Sequence, residues 1–500
     1  MSDATLVTFV VYFVLLLGIG FYFWRKSASI EDYLLGGRGM GAWVTALSAQ
    51  ASDMSGWLLM GLPGAIYVAG MANVWIAVGL FIGTVLNWLL VSGRLRIYTQ
   101  KTNTITLPCF FEERFADPTG LLRIVSAIVI LIFFTIYASS GLVAAGKLFE
   151  STFGVSYTTA VLIGGVIIVA YTFLGGFLAV CWTDLFQGTL MVLALVIVPT
   201  VAYFDVGGIE TIRAAMASKV ERGLMQQGGP SLLMIISTMA WGLGYFGQPH
   251  ILARFMSVKS VGKLSESMTI AIVWVFVSLT GAVIIGFIGM GMFENLNVPD
   301  GEHEKVFIYM IGKVMHPWLG GIMLAAILSA IMSTIDSQLL VSSSALTEDF
   351  YQKAIRKKVS ERELVWVGRG CVILISLVAL LLALRPDDTI LGIVAYAWGG
   401  FGAAFGPLVL FALFSRKTSW QSALAGMVTG TVVLVIWKQV GLSSQLYEIV
   451  PGFAANCLMI LVLDRVVGQS NKSVLAEYEE VIEKVAAGKY GRFSDGQDSD

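Results

Sequence analysis

The strongest constraint in this sequence is a series of long apolar segments that recurs along its 500 residues. A helix needs about 20 mostly apolar residues to cross a bilayer, because lipid cannot satisfy backbone polar groups. The segments predict an all-α polytopic membrane protein with about 13 transmembrane helices. We number these predicted spans 1–13, and they cover roughly residues 5–24, 41–69, 73–93, 124–146, 156–180, 183–204, 230–250, 269–292, 317–346, 366–384, 389–414, 420–437 and 447–463.

Composition agrees with a membrane protein and excludes several other classes. Only 13% of the residues are charged, against about 25% in soluble domains. The net charge of -1 gives no indication of nucleic-acid binding. The four cysteines and three histidines lack the spacing of a metal site or a disulfide framework. We therefore expect a transporter rather than an enzyme, with no obligate protein partner.

The basic residues predict how the chain is oriented. Arg25 and Lys26 directly follow span 1, whereas only Asp3 precedes it. Lys and Arg favour the predicted cytoplasmic loops by roughly three to one, as the positive-inside rule requires. We expect the N-terminus outside and the C-terminus in the cytoplasm. Residues 1–464 would form the transmembrane domain, with its core at about 41–414, and 465–500 a polar cytoplasmic tail.

Two spans contain residues that interrupt a helix. Span 2 includes AQASDMSGWLLMGLPGA (49–65), and span 7 includes MAWGLGYFGQPH (239–250). Within a helix Gly costs about 1 kcal/mol and Pro about 3 kcal/mol, so both spans are predicted to be broken. Because the two are five spans apart, spans 2–6 and 7–11 would form units of opposite orientation. Paired interruptions of this kind indicate a transporter binding site near the midplane.

Span 9 places oxygen-bearing residues on one side of a helix, in the segment AILSAIMSTIDSQLLVSSS (326–344). Ala330, Ser333 and Thr334 lie at helical spacing, and hard cations prefer oxygen ligands. Two hydroxyls from this helix and carbonyls from a broken one could hold sodium. The alternative is that these hydroxyls bond their own backbone or a neighbouring helix.

Carboxylates within membrane segments are costly and therefore indicate function. Asp53 is predicted to serve a sodium or proton site, or to cap the unwound backbone. Asp184, in CWTDLFQG, is either a helix N-cap or part of an ion exit path. Asp336 is expected to face a cytoplasmic vestibule, and Arg38 to be a snorkelling interfacial cation.

Four aromatic residues are candidate walls for an apolar substrate ring: Trp57, Tyr137, Trp241 and Tyr245. Aromatic residues at helical spacing more often serve packing. Trp57, Trp241 and Tyr245 are stronger candidates because they lie in the interrupted segments.

Several segments resemble the sodium:solute symporter family across nearly the whole chain. They are TALSAQASDMSGWLLMGLPGA, WGLGYFGQPHILARFM, GGFLAVCWTDLFQ, STIDSQLLVSSSALTED and YAWGGFGAAFGPLVLF. GYFGQPHILARFM resembles the proline-transporting branch. The resemblance implies a LeuT-type fold with a core of five-plus-five helices, in the bacterial inner membrane. It also implies uptake of L-proline together with Na⁺.

The resemblance also implies a set of site residues. Na⁺ would be held by carbonyls of Ala51, Met54 and Ala330 and hydroxyls of Ser333 and Thr334. Asp53 would support that site and Asp184 would lie on the release route. Proline would bind among Ser55, Gly56, Trp57, Tyr137, Trp241, Gly244 and Tyr245. Asp336 departs from the family pattern, because some proline-type members carry a small neutral residue there.

Other functions fit parts of the sequence. The same fold could carry another solute, such as pantothenate, a monocarboxylate or a sugar. A proton acting through Asp53 could replace sodium. A channel or a sensor belongs to a different class, and the short tail argues against a sensor. An enzyme is least compatible, because the polar residues form no acid–base or metal grouping.

Overall fold

A computed structural model shows that the chain folds into a bundle of helices. It describes residues 3–24, 35–174, 176–225, 228–293, 296, 301–355, 359–467 and 472–486. Among these residues, ten helices are long and apolar enough to cross a membrane, and three shorter apolar helices lie at Trp57–Ala69, Tyr157–Phe173 and Leu232–Gly247. All thirteen lie where spans were expected, so the all-α class is confirmed. The exact number of spans remains a prediction.

The described residues contain twenty α-helices. The first ten are α1 (Asp3–Trp24), α2 (Ala42–Asp53), α3 (Leu62–Ala69), α4 (Met71–Asn87), α5 (Gly93–Lys101), α6 (Leu107–Phe115), α7 (Leu121–Phe153), α8 (Tyr157–Leu174), α9 (Phe177–Asp205) and α10 (Ile209–Glu221). They are followed by α11 (Leu232–Met239), α12 (Pro249–Ser257), α13 (Gly262–Met292), α14 (Val306–Val314), α15 (Pro317–Ser344), α16 (Glu361–Ala383), α17 (Ile390–Phe414), α18 (Trp420–Gln439), α19 (Ile449–Val466) and α20 (Lys472–Ala486).

Span 2 is broken, as the sequence predicts. Helix α2 ends at Asp53, and Met54 leaves helical geometry with φ -86° and ψ 79°. A π-helical turn, Trp57–Gly61, then leads into α3. Pro63 lies in the first turn of α3, directly after the π turn, and has no N–H to donate to that turn. The break therefore interrupts the regular helical hydrogen bonds next to Asp53 in the middle of the span.

Span 7 is broken over a longer stretch. Helix α11 passes into a 3₁₀ segment, Ala240–Gly247, and Gln248 is extended before α12 begins at Pro249. Glycine is required where this segment packs on α4. A Cβ on Gly83 would lie 2.4 Å from the Gly242 carbonyl oxygen, and one on Gly242 would lie 2.3 Å from the Gly79 oxygen. The two backbones are therefore in direct contact.

Burial orders the helices from the centre outwards. Helices α15 and α17 are mostly buried, whereas α1 and α19 are mostly exposed. The outward side chains of α1 are apolar, as at Val10 and Val14, which suits contact with lipid. The centre of the bundle therefore consists of α15 and α17 together with the broken spans that pack on them.

The structure bears on three expectations about charged residues. Of the two alternatives for Asp184, the N-cap is excluded, because α9 begins seven residues earlier at Phe177. Asp336 is fully buried and accepts a hydrogen bond from Thr172, so it does not face an open vestibule. Arg38 is tied to protein, since its guanidinium donates to the carbonyls of Met256, Thr99 and Thr104 at 3.2, 3.2 and 2.8 Å.

Candidate functional site

A cluster of oxygen atoms lies where α15 passes the end of α2. The Ser333 hydroxyl donates to the carbonyl oxygen of Ala51 at 2.7 Å, and the Thr334 hydroxyl lies 3.3 Å from the same oxygen. Both hydroxyls also reach the Ala330 carbonyl, at 3.3 and 3.2 Å. Four of the five groups expected to hold sodium are thus within hydrogen-bonding distance. Met54, the fifth residue, is fully buried at the end of α2.

The chemistry of this cluster fits a hard monovalent cation. Two carbonyl oxygens and two hydroxyl oxygens converge from two helices, and none carries a formal charge. Hydroxyl groups rotate freely, so Ser333 and Thr334 can turn their hydrogens away and present lone pairs. All four residues are essentially excluded from solvent. Their role as sodium ligands stays a prediction.

Asp53 links the two broken spans. Its carboxylate oxygen Oδ2 accepts a hydrogen bond of 2.6 Å from the Tyr245 hydroxyl in the break of span 7. Its backbone carbonyl accepts from the Tyr137 hydroxyl at 3.2 Å and from Trp57 Nε1 at 3.1 Å. Its Oδ1 is buried with no hydrogen-bond partner in the described part of the chain. The side chain therefore faces Tyr245 and does not cap the unwound backbone.

The aromatic residues predicted to line a substrate site come together around these breaks. The Trp57 and Trp241 rings lie 6.3 Å apart between centroids. Tyr245 packs edge-on against Trp398 at 5.0 Å, and Trp398 Nε1 donates to the Trp241 carbonyl at 2.8 Å. Trp57, Trp241, Tyr245 and Tyr137 are all at most 5% exposed. The structure thus assembles a buried aromatic cluster from spans 2, 4, 7 and 11.

The three small residues of the predicted substrate site also lie at this aromatic cluster. The Ser55 hydroxyl accepts from the Trp57 backbone N–H at 3.4 Å. A Cβ on Gly56 would lie 2.8 Å from the Ala144 Cβ, and one on Gly244 only 1.9 Å from Trp398 Nε1. Both glycines therefore allow close packing that a larger residue would disrupt. Whether these residues contact substrate stays a prediction.

A buried polar network lies one helical turn from the oxygen cluster. Asp184 Oδ2 accepts from the Ser48 hydroxyl at 2.6 Å and lies 3.3 Å from Arg254 Nη2. The same Nη2 donates to the Ser337 hydroxyl at 2.5 Å, and Arg254 Nε donates to Ser48 at 3.0 Å. All four residues are 0% exposed. The network joins spans 2, 6, 7 and 9 through one guanidinium group.

Sequence reasoning missed two contributors to the site. Arg254 lies beyond the predicted end of span 7 at residue 250, so its position in the sequence predicts only a loop cation. Trp398 lies in an apolar span, where an aromatic residue carries no signal of its own. Helical spacing shows only that Arg254 shares a face with His250, four residues before it, and not which groups that face meets.

Comparison with known proteins identifies the family. The sequence profile of the sodium:solute symporter family matches residues 33–430. The sodium/proline symporter of Salmonella typhimurium is 49% identical over 466 residues, 92% of this chain and 93% of that protein. A Bacillus subtilis relative described as a high-affinity proline transporter is 47% identical over 463 residues, 92% and 98% of the two chains. This chain belongs to the sodium:solute symporter family.

A solved structure supports the fold class. The substrate-bound, outward-open structure of a Na⁺-coupled sialic acid symporter matches with a TM-score of 0.78 at 17% identity, covering 94% of this chain and 99% of that one. At 17% identity the structural similarity supports a shared fold only. It confirms the expected LeuT-type architecture with its broken helices. The chain is a multi-pass transporter of the inner membrane.

Proposed function

We propose that this protein is a secondary active symporter that imports L-proline together with Na⁺ by alternating access. The observation that carries the proposal is the oxygen cluster of Ala51, Ala330, Ser333 and Thr334 beside the break of span 2. Relatives that are 47–49% identical are described as proline transporters, which supports proline as the solute.

In this proposal each predicted site residue has a defined task. Carbonyls of Ala51, Met54 and Ala330 and the hydroxyls of Ser333 and Thr334 hold Na⁺, which fixes α2 against α15. Asp53 supports the site by keeping the breaks of spans 2 and 7 together through Tyr245. Asp184 lies on the release route. Proline binds among Ser55, Gly56, Trp57, Tyr137, Trp241, Gly244 and Tyr245.

The carboxylate and the apolar ring of proline suit the two broken spans and their aromatic cluster. A break in a helix can present backbone N–H groups to a carboxylate. In this conformation the N–H groups of Ser55, Trp57 and Leu58 bond within the span 2 break, so proline would have to displace these bonds. The pyrrolidine ring of proline is apolar and would pack against Trp57 and Trp241.

The direction of transport comes from the ion, because one charge crossing a membrane potential of 100 mV provides about 2.3 kcal/mol. That alone supports roughly 50-fold accumulation.

We also propose an orientation for the chain. The bias of Lys and Arg places the N-terminus outside and the C-terminus in the cytoplasm. Transmembrane domain 1–464, with its core at 41–414, then carries the sites, and 465–500 lies in the cytoplasm. In this orientation the network of Arg254 and Asp184 lies on the cytoplasmic side of the oxygen cluster.

The test is uptake of labelled L-proline into proteoliposomes with and without an inward Na⁺ gradient. We expect accumulation above equilibrium only with Na⁺, and its loss when Ser333→Ala and Thr334→Ala are combined. Ser343→Ala is the matched control, because that hydroxyl bonds Leu340 O within its own helix at 2.9 Å. Accumulation driven by a proton gradient without Na⁺ would reject the ion assignment. Na⁺-driven uptake of another solute, without proline uptake, would reject the substrate.

A further inference from the structure

The helix α20 packs on the rest of the protein. Tyr478 and Val481 are only 5% and 2% exposed, although no span follows them in the predicted topology. The helix lies against α5, the end of span 3. The sequence predicts a polar tail after residue 464, yet one face of α20 is buried as deeply as a core helix. The segment after residue 486 lies outside the described residues.

Tyr478 covers a buried arginine that holds the end of span 11. Arg114, in the connecting helix α6, is 1% exposed. Its guanidinium donates to the carbonyls of Ala412 and Ser415, both at 2.7 Å. These carbonyls belong to the last turn of α17 and its cap, where cationic side chains stabilise a helix. The Tyr478 ring lies 4.9 Å from the Arg114 guanidinium carbon and shields it.

The polar contacts of α20 are ion pairs at the protein surface. Glu480 pairs with Lys101 at the end of α5 and, within α20, with Lys484 at 2.6 Å. Glu479 pairs with Arg416 just after α17 at 3.3 Å. The side chains of Glu480, Glu479 and Arg416 are about half exposed, at 47%, 57% and 61%. Exposed pairs of this kind are weak and are screened by salt. One helix thus bridges the ends of spans 3 and 11 with contacts that depend on ionic strength.

We propose that α20 is a salt-sensitive brace that holds the cytoplasmic ends of spans 3 and 11 together and slows release of substrate. The backbone of span 3 packs directly on the break of span 7 at Gly79 and Gly83. Span 3 should therefore move together with the aromatic cluster at that break.

The end of span 3 also contacts span 11 directly, because Arg94 Nη1 donates to the Leu413 carbonyl at 3.2 Å. Separation of the two ends therefore breaks this bond and strains the contacts that α20 makes with Lys101, Arg114 and Arg416. The effect on rate rests on the proposed transport function, whereas the docking of α20 does not.

The docking is tested without transport, by hydrogen–deuterium exchange of residues 475–486 in the full-length protein in nanodiscs. From 50 mM to 500 mM KCl we expect exchange in α20 to rise several-fold. Glu480→Lys should give fast exchange already at low salt, and the swap Lys101→Glu with Glu480→Lys should slow it again. Glu483→Lys, on the exposed face of the same helix, is the matched control and should change little. An exchange rate in α20 that changes neither with the salt concentration nor in Glu480→Lys would overturn the proposal.

The brace itself is tested by the initial rate of Na⁺-driven proline uptake at low salt inside the vesicles. Weakening one exposed ion pair should raise the rate by about two- to fivefold in Glu480→Lys, and the charge swap should reverse the increase. Tyr478→Ala, which uncovers Arg114, should raise it as well. A released helix with an unchanged uptake rate would overturn the brace while leaving symport intact. Absence of Na⁺-driven uptake in the unmodified protein would instead reject the proposed function.

Discussion

Arg254 and Asp184 form an ion pair in which both side chains are completely shielded from solvent, with Nη2 and Oδ2 3.3 Å apart. Arg254 also holds Ser337, one turn along α15 from Ser333. On the proposed route, Na⁺ leaving the oxygen cluster toward the cytoplasm meets this pair first. On this proposal the pair closes the route in this conformation, and we expect release to require separation of the guanidinium from Asp184.

The buried pair should behave as one energetic unit. Removing one member of a buried ion pair leaves an uncompensated charge and costs about 3–5 kcal/mol. We expect Asp184→Asn and Arg254→Gln each to lower the thermal unfolding temperature clearly. The double variant should regain most of the loss, because neither charge is then left alone. Unfolding temperatures of the four proteins in nanodiscs give the coupling, and strictly additive losses would contradict it.

The hydroxyl of Tyr245 should control sodium affinity. It donates to Asp53 at 2.6 Å and is the side-chain link between the two breaks at that carboxylate. A hydrogen bond to a charged group contributes about 1.5–3 kcal/mol. We expect Tyr245→Phe to raise the Na⁺ concentration for half-maximal proline uptake by about tenfold or more.

The control for this prediction removes a similar hydroxyl far from the breaks. Tyr157 donates to the Ala383 carbonyl at 2.8 Å, between spans 5 and 10. Tyr157→Phe should leave the sodium dependence within about twofold of the unmodified protein. An unchanged sodium dependence in Tyr245→Phe would show that Asp53 needs no support from span 7.

The breaks were predictable from sequence because each rests on local chemistry. Ser55 and Gly56 follow a buried carboxylate in span 2, and span 7 combines three glycines with Pro249. Such residues disfavour a continuous helix wherever they stand. The oxygen cluster was also predictable from sequence, because Ala330, Ser333 and Thr334 share a helix face.

The polar network and the docked tail were not predictable from local pattern. Arg254 reads as a loop cation until tertiary structure places it between Asp184 and Ser337, residues separated from it by 70 and 83 positions. The burial of Tyr478 similarly depends on Arg114, more than 300 positions earlier in the chain. A single sequence carries no signal for pairs at such separations.

Gly244 should determine the KM for proline. An alanine Cβ there would lie 1.9 Å from Trp398 Nε1, so the indole must shift and lose its hydrogen bond to Trp241. We expect Gly244→Ala to raise the KM for proline at least tenfold. Gly312→Ala is the matched control, because nothing lies within 4 Å of that Cβ position. Equal KM values for both variants would remove Gly244 from the substrate site.

Lys219 should make stability depend on pH outside the membrane. Its ammonium group, in α10, donates to the Tyr67 carbonyl at the end of α3 at 2.9 Å and lies 3.4 Å from the Tyr67 ring centroid. Burial, together with the smaller effect of the nearby Arg222, lowers the pKa of Lys219 from 10.5 to about 8. Between pH 8 and 10.5 the unfolded state thus binds more protons than the folded state, so the free energy of unfolding rises with pH.

The comparison that isolates this residue uses Lys219→Met, which keeps the length of the side chain and removes the titration. Other groups titrate in both proteins and cancel in the difference between their unfolding temperatures. From pH 7 to pH 10 we expect this difference to shift in favour of the unmodified protein, because its buried amine becomes neutral. Each unit of pKa displacement corresponds to about 1.4 kcal/mol, which a thermal melt can resolve. A difference that stays constant, or moves toward Lys219→Met as pH rises, would show that Lys219 is not buried as a charge against Tyr67.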